Sequence, residues 1–269
     1  MSAPHDTYTH GHQEAVLQAH RWRTAENSAA YLLPHLRPGL SLLDAGCGPG
    51  TLTADLARRV APGQVIGIDV AAEAVAEAEA RAREARVANL SFRVGDFRSA
   101  GLAAGSFDVV HAHQVLQHLR DPVGALGEMR RLARAEGIVA ARDGDYSAMV
   151  WWPEDARLAL WREIYLAVTR HNGAEADAGR RLLSWARAAG FQDVVYSTST
   201  WTFAAAPDRA WWAGLWAERT RSSAFARQAV EYGIATPEGL EEAAAGWRAL
   251  GAAPDGVFIV VCGEIIARG

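Results

Sequence analysis

A short apolar run at residues 40–43 leads into Asp44-Ala45-Gly46-Cys47-Gly48-Pro49-Gly50, and then Leu52, Leu56 and Val60 recur every fourth residue. An apolar run, an acid, three alternating glycines and a helix-spaced pattern read as a buried strand turning sharply into a helix. Glycine permits positive φ and leaves no Cβ, so such a turn bends tightly and lets a ligand approach the main chain. The helix that follows would point its free amide groups into the same space. The turn thus predicts an α/β chain with a ligand site at the carboxyl end of its first strand.

The rest of the first half repeats the theme. Residues 13–36 read as helix and 51–60 as a second. Strands are predicted at 64–68, 90–94, 107–111 and 137–141, with helices over 71–85 and from Asp121-Pro122 through residue 134. Strand and helix alternating at this spacing predict a parallel sheet covered on both faces. After residue 145 the pattern changes. Strands are expected at 194–203 and 257–266, separated by helical stretches at 146–179 and 207–250. Nine of the ten tryptophans follow residue 150, so the second half builds something the first does not. The expected division is an N-terminal helical lid (1–36), a sheet domain (37–145, 180–206 and 251–269) and two helical insertions (146–179 and 207–250) forming a cap.

The formal net charge is -4 and no basic block is present, which argues against nucleic acid as the partner. The two cysteines, Cys47 and Cys262, make no disulfide framework. No apolar stretch is long enough to span a bilayer, and residues 1–20 lack a signal-peptide core. A cytoplasmic chain acting on a small molecule is therefore expected, as a monomer or homodimer, with no nucleic-acid or membrane partner.

Two further acids end predicted strands. Asp69 lies 19 residues after Gly50, where a carboxylate can accept from both hydroxyls of a ribose held over the turn. Gly95-Asp96-Phe97 follows the third strand and pairs a hydrogen-bond acceptor with an aromatic face. Helix capping and turn formation remain alternatives for both acids.

Taken together these motifs resemble class I S-adenosylmethionine-dependent methyltransferases. Leu42-Leu43-Asp44-Ala45-Gly46-Cys47-Gly48-Pro49-Gly50-Thr51 is similar to their first motif, Ile66-Gly67-Ile68-Asp69 to the second and Gly95-Asp96-Phe97 to the third. The run from Phe107 through His113, Gln114 and His118 to Leu119 resembles the small-molecule branch related to ubiquinone and menaquinone biosynthesis. The resemblance covers residues 13–145. It implies a Rossmann-like, mostly parallel seven-stranded sheet with helices on both faces and an antiparallel last strand. It also implies S-adenosylmethionine as cofactor, bound by Asp44, Ala45, Gly46, Gly48, Asp69, Val70, Gly95, Asp96, Phe97, His113 and Gln114. Arg23, on the N-terminal helix, is the choice for the cofactor's carboxylate, with Arg21 beside it and a solvated arginine as the alternative. Thr51 is a weaker candidate.

Methyl transfer is in-line displacement from an already activated donor, so the protein mainly positions a nucleophile and, for some acceptors, removes its proton. Candidate catalytic residues are His113, the N-terminal Tyr8 and His10 (with His12 beside them), and Asp145, which follows strand five with Asp143. No metal is expected, because His111 and His113 lack a neighbouring carboxylate cluster in sequence. Trp151, Trp152, Trp161, Trp201, Trp211, Trp212 and Trp216 are expected to supply walls for an aromatic or apolar acceptor, an aromatic cap core being the alternative for each. Two other functions stay open on the sequence: an NAD-dependent oxidoreductase using the same Asp69, disfavoured by the G-x-G-x-G spacing, and a non-catalytic cofactor-binding protein.

Overall fold

The computed structural model describes residues 6–11 and 14–269. His12 lies outside the described residues. The chain enters through α1 (Glu14–Arg21), α2 (Ala25–Ser28) and a 3-10 turn (Leu33–His35) before β1 (Leu42–Ala45). The single helix expected over 13–36 is therefore broken. Thr24 caps α2 by accepting from the Asn27 amide at 3.2 Å, while the Asn27 side chain accepts from the Thr24 amide at 2.8 Å. That reciprocal pair starts a new helix where the old one would have continued.

Helix α3 (Thr51–Val60), β2 (Val65–Asp69), α4 (Ala72–Glu84), β3 (Leu90–Val94), β4 (Phe107–His113), α5 (Pro122–Leu132) and β5 (Ala133–Gly144) follow. Strand β5 starts four residues earlier than the sequence suggests, shortening α5. The five strands form one parallel sheet in the order β3-β2-β1-β4-β5. All four residues of β1 are buried, as a central strand requires. The register sets Asp44 opposite Gly67 on one side and His111 on the other.

The second half adds β6 (Val150–Trp152), α6 (Ala156–His171), α7 (Ala178–Ala188), β7 (Asp193–Phe203), α8 (Ala206–Ser222), α9 (Ala224–Glu231), α10 (Pro237–Ala252) and β8 (Val257–Arg268). Strand β8 runs antiparallel to β5, and β7 pairs along the whole of its far edge. The seven expected strands are thus present with the last one antiparallel. An eighth, β6, lies in the stretch read as helix and pairs with residues 257–259 of β8. Because β7 occupies the other edge there, β6 sits on the β5 side and prolongs the line of that strand.

Helix α6 buries Leu158, Trp161, Tyr165 and Val168, spaced by three and four along one stripe. Its Trp161 meets Trp247 of α10 edge-to-face at 4.7 Å, and Trp247 stacks on Trp216 of α8 at 5.6 Å. Trp161 and Trp247 are wholly buried, each a burial that stabilises by about 1.5–3 kcal/mol. This cluster also takes in Trp201 and Phe203 of β7 and Phe258, Val260 and Cys262 of β8. The cap therefore grows on strands of the sheet. Among the described residues no helix is long and apolar enough to cross a membrane.

Candidate functional site

Gly46, Gly48 and Gly50 all adopt positive φ, at 74°, 52° and 76°. A Cβ on Gly46 would collide with Val115, and one on Gly50 would stand 2.7 Å from the Ala78 methyl. The amides of Gly46 and Cys47 both bond to the Ile68 carbonyl, tying the turn to β2. Asp69, at the end of β2, accepts from the Gly48 amide at 2.8 Å and the Ala71 amide at 2.9 Å. A carboxylate offers about four acceptor positions, so Asp69 keeps roughly two towards the cavity it lines. Next to it Val70 is 67% exposed.

Asp96 follows β3. Its carboxylate is gripped by the Arg98 side chain at 2.6 and 3.0 Å and accepts from the Arg98 amide at 2.9 Å. Burial raises its pKa, but the Arg98 hydrogen bonds outweigh that and hold it below the usual carboxylate range. Gly95 and Phe97 line the same wall. Asp44 also reaches this cavity, with both oxygens engaged inside the protein by His111 Nδ1 at 2.8 Å and Thr53 Oγ1 at 2.6 Å. Ala45 is fully buried in β1 and has no surface on the cavity, because the sheet covers it on both sides.

In the middle of the cavity Gln114 takes φ 54°, a conformation that is uncommon without glycine and concentrates at functional sites. It follows from the end of β4, where the Gln114 amide reaches the Arg142 carbonyl at 2.7 Å and its side chain accepts from Arg23 Nη2 at 2.6 Å. Burial pushes the Arg23 pKa down to about 10. The Arg23 Nε and both ring nitrogens of His113 are buried without a hydrogen-bond partner. Burial, with Arg23 and Arg142 nearby, drives the His113 pKa well below the ordinary histidine range. His113 is therefore neutral, and its ring lies 5.8 Å from that of Trp201.

The N-terminal segment crosses this region. Asp6 accepts from Arg98 Nη2 at 2.5 Å and the Arg120 amide at 2.9 Å, and Thr9 accepts from the Asn172 amide group at 3.0 Å. Tyr8 and His10 both line the cavity. The Tyr8 ring packs edge-on against His118 at 4.8 Å, and burial raises its pKa to about 12. His10 Nδ1 is 2.6 Å from Arg219 Nη2, while Nε2 is 2.9 Å from the Tyr165 hydroxyl and 3.4 Å from that of Tyr146. Guanidinium only donates, so Nδ1 must carry the lone pair. In this arrangement Nδ1 accepts from Arg219.

Asp145 is also misplaced by the sequence reading. Its carboxylate is held by Arg180 at 2.5 and 2.6 Å and caps the 3-10 turn Tyr146–Ala148, and it does not line the cavity. Arg21 pairs with Glu77 and Glu14 outside it. Of the seven tryptophans expected as walls, Trp201, Trp212 and Trp216 face the cavity. Trp161 is core, Trp151 stacks on Phe258, Trp211 packs on Trp22 at 5.8 Å away from the cavity lining, and Trp152 is 56% exposed. Sequence reasoning missed Arg219, Tyr146, Met149 and Val260, all of which line the cavity. Only Arg219 left a signal, standing one helical turn after Trp216.

These residues enclose one continuous cavity of about 1030 Å³. It extends from Asp69 and Asp96 past the glycine turn, His113 and Gln114 to the aromatic side chains of the cap. Its volume is at the upper end of small-molecule pockets, room for more than one ligand of modest size.

Residues 36–190, more than half of the chain, match the family model described as a methyltransferase domain. An uncharacterised methyltransferase of Schizosaccharomyces pombe is 33% identical over 233 residues, covering 83% of this chain and 84% of that protein. The nocamycin O-methyltransferase of Saccharothrix syringae is 40% identical over 104 residues, 38% of this chain and 37% of that one. Among solved structures, a Haemonchus contortus phosphoethanolamine N-methyltransferase, in complex with phosphomonomethylethanolamine and S-adenosylhomocysteine, superposes with a TM-score of 0.57 at 16% identity. The match covers 94% of this chain and 57% of that one, and it is a likeness of fold.

Proposed function

This chain belongs to the family of methyltransferase domains and takes S-adenosylmethionine as its methyl donor, and from that premise we propose that it methylates an oxygen, nitrogen or carbon atom of a small aromatic or otherwise apolar acceptor. The oxidoreductase alternative falls with that membership. The observation that carries the reading is the single cavity joining the glycine turn to Trp201, Trp212 and Trp216.

The residues present fit the donor. Arg23 Nε and the His113 ring nitrogens are buried polar atoms with no partner in the protein. Asp69 has acceptor capacity left for two ribose hydroxyls, with Val70 as an apolar surface for the base. Phe97 covers the base's other side, and the remaining lone pairs of Asp96 and the Gly95 main chain take its polar edge. The main chain at Gly46 and Gly48 and the Arg23–Gln114 pair hold the amino-acid end, with Asp44 fixing the turn through Thr53 and Ala45 seating it in the sheet. When bound, S-adenosylmethionine supplies a methyl group on a sulfonium, already activated for displacement.

His113 is placed to meet the acceptor's nucleophile, since both ring nitrogens are unengaged; the burial that keeps it neutral also makes it a weak base, so its part is to hydrogen-bond and orient. Tyr8, packed on His118, borders the cavity, and residues 6–11 with α1 and α2 serve as a lid. The stretches 146–179 and 207–250 wall the acceptor, and together they exclude water from the transfer.

Titration calorimetry with S-adenosylhomocysteine, followed by transfer of labelled methyl to a panel of phenols, indoles and aromatic acids, tests the reading. Binding is expected, weakened roughly tenfold to a hundredfold by Asp69→Ala on the scale of hydrogen bonds to a charged group. His113→Ala should lower turnover by about a hundredfold and weaken that affinity by no more than one lost hydrogen bond, about fivefold. A folded protein with no affinity for S-adenosylhomocysteine would sink the assignment.

A further inference from the structure

The described structure has three buried arginines, Arg142, Arg209 and Arg219. Arg142 has the carboxylate of Glu264 at 3.1 Å. Arg209 donates to the carbonyls of Ala204, Ala253 and Gly256. Arg219 has neither. Among the described residues its only side-chain hydrogen bond is to His10 Nδ1, its Nε is buried without a partner, and its guanidinium lies 3.9 Å above the Trp216 ring. It is 5% exposed and lines the cavity with Tyr8, Tyr146 and His118.

A cation removed from water without a counter-charge is costly, and stacking on tryptophan offsets only part of the cost. Arginine is suited to gripping an oxygen anion through its fork of donors. The carboxylates on the cavity wall, Asp6, Asp44, Asp69, Asp96 and Asp121, come from the N-terminal segment (the strap) and from the strands and loops of the parallel sheet. None is hydrogen-bonded or ion-paired to Arg219. Arg23 is also without a carboxylate partner, but it is tied to Gln114 beside the glycine turn and is assigned to the donor's own carboxylate.

We propose that Arg219 anchors an oxygen anion on the acceptor, a carboxylate or an ionised phenol, within the aromatic end of the cavity. His10 is a positioning residue for it. Because the guanidinium only donates, His10 Nδ1 accepts from Arg219 and Nε2 carries the ring proton, with the Tyr165 and Tyr146 hydroxyls 2.9 and 3.4 Å from it. The anion site is thus completed by the N-terminal strap. Trp216 holds the guanidinium plane, and Met149 and Val260 give the same cavity apolar surface. Neutral apolar acceptors are disfavoured, because they would leave the Arg219 charge buried and uncompensated.

The inference rests on the methyl-transfer reading, and the test separates the two. Full-length protein saturated with S-adenosylhomocysteine is titrated calorimetrically with benzoate and benzamide. A second arm uses 2,4-dinitrophenolate and 2,4-dinitroanisole. The anion of one or both pairs should bind about tenfold or more tighter than its neutral partner, on the scale of a charge-assisted hydrogen bond. The responding pair tells carboxylate from phenolate. Arg219→Gln should erase the preference while leaving S-adenosylhomocysteine affinity unchanged. Arg219→Lys, read in addition and in place of Arg219→Gln if that variant does not fold, should keep only part of it, since lysine retains charge but not the fork. Equal affinity within both pairs, no binding of either anion, or a preference that survives intact in the Arg219 variants overturns the proposal. Loss of S-adenosylhomocysteine binding in the parent protein would instead overturn the donor assignment.

Discussion

The two ends of the cavity are built from different materials. The donor end is main chain and short loops: three glycines at positive φ, a β2 aspartate bound to the Gly48 amide, and Asp96 held by Arg98. The end proposed for the acceptor is side chains on α8, β7 and β8, with the 3-10 turn Tyr146–Ala148 and a strap from near the N-terminus. A main-chain site tolerates little change, because its shape is set by φ angles and sheet register. A side-chain site can change its occupant one residue at a time. That contrast is why the chain's donor follows from its family while its acceptor needs its own argument.

The comparison is tested hardest at the cap. Trp247 touches no ligand, is fully buried, and packs on both Trp161 and Trp216. Trp247→Ala should cost about 3–5 kcal/mol in a denaturant melt. Because the cap cluster includes residues of β7 and β8, the melt should remain a single transition by fluorescence and circular dichroism. Two separated transitions would mean that the two ends fold independently.

Acid should strike the middle of the cavity next. Burial places His10 and His113 well below the usual histidine range and His118 at about 3, and it raises Asp143 to about 7. Around pH 5 the unfolded chain holds protons on three histidines that the folded chain excludes, while the folded chain holds one on Asp143 that the unfolded chain releases. Unfolding then takes up about two protons, so stability falls with acid at a slope approaching about 2.7 kcal/mol per pH unit. The loss begins as pH drops through the unfolded histidine value of about 6.5. A melting temperature that holds level from pH 7.5 to pH 5 would show that these groups titrate in the folded state.

The smallest expected effect tests the donor end alone. At Gly46 a methyl group meets Val115 and φ is 74°. Gly46→Ala should lower S-adenosylhomocysteine affinity by about 2 kcal/mol, adding left-handed strain to a steric shift. The anion preference of the residual complex should be unaltered. A variant that loses both would join the two ends into one site.

The donor end was legible because its residues are contiguous or stand at strand ends, so Gly46, Asp69 and Asp96 announce themselves by spacing. The sheet was legible for the same reason, through alternation at short range. Two failures there have local causes: the Thr24–Asn27 cap divided the first helix, and β6 is three residues long, too short to show a period. Asp145 looked like a catalytic residue because it follows β5, yet Arg180, 35 residues on, holds its carboxylate. Arg219 and His10 are 209 residues apart and meet only through the packing of α8 under the strap. No periodicity encodes such a meeting.

Strand β8 is hydrogen-bonded to β5, β6 and β7, and its side chains enter both the sheet's core and the cap's. The cap is therefore not a cassette. Exchanging it between relatives at the loop boundaries would carry away α6, α8 and α10 while leaving behind Phe258, Val260 and Trp201, shaped for a partner that had gone. A chimera that moves the cap with its packing intact should carry β6 to β8 as one piece, together with the N-terminal residues that meet Arg219.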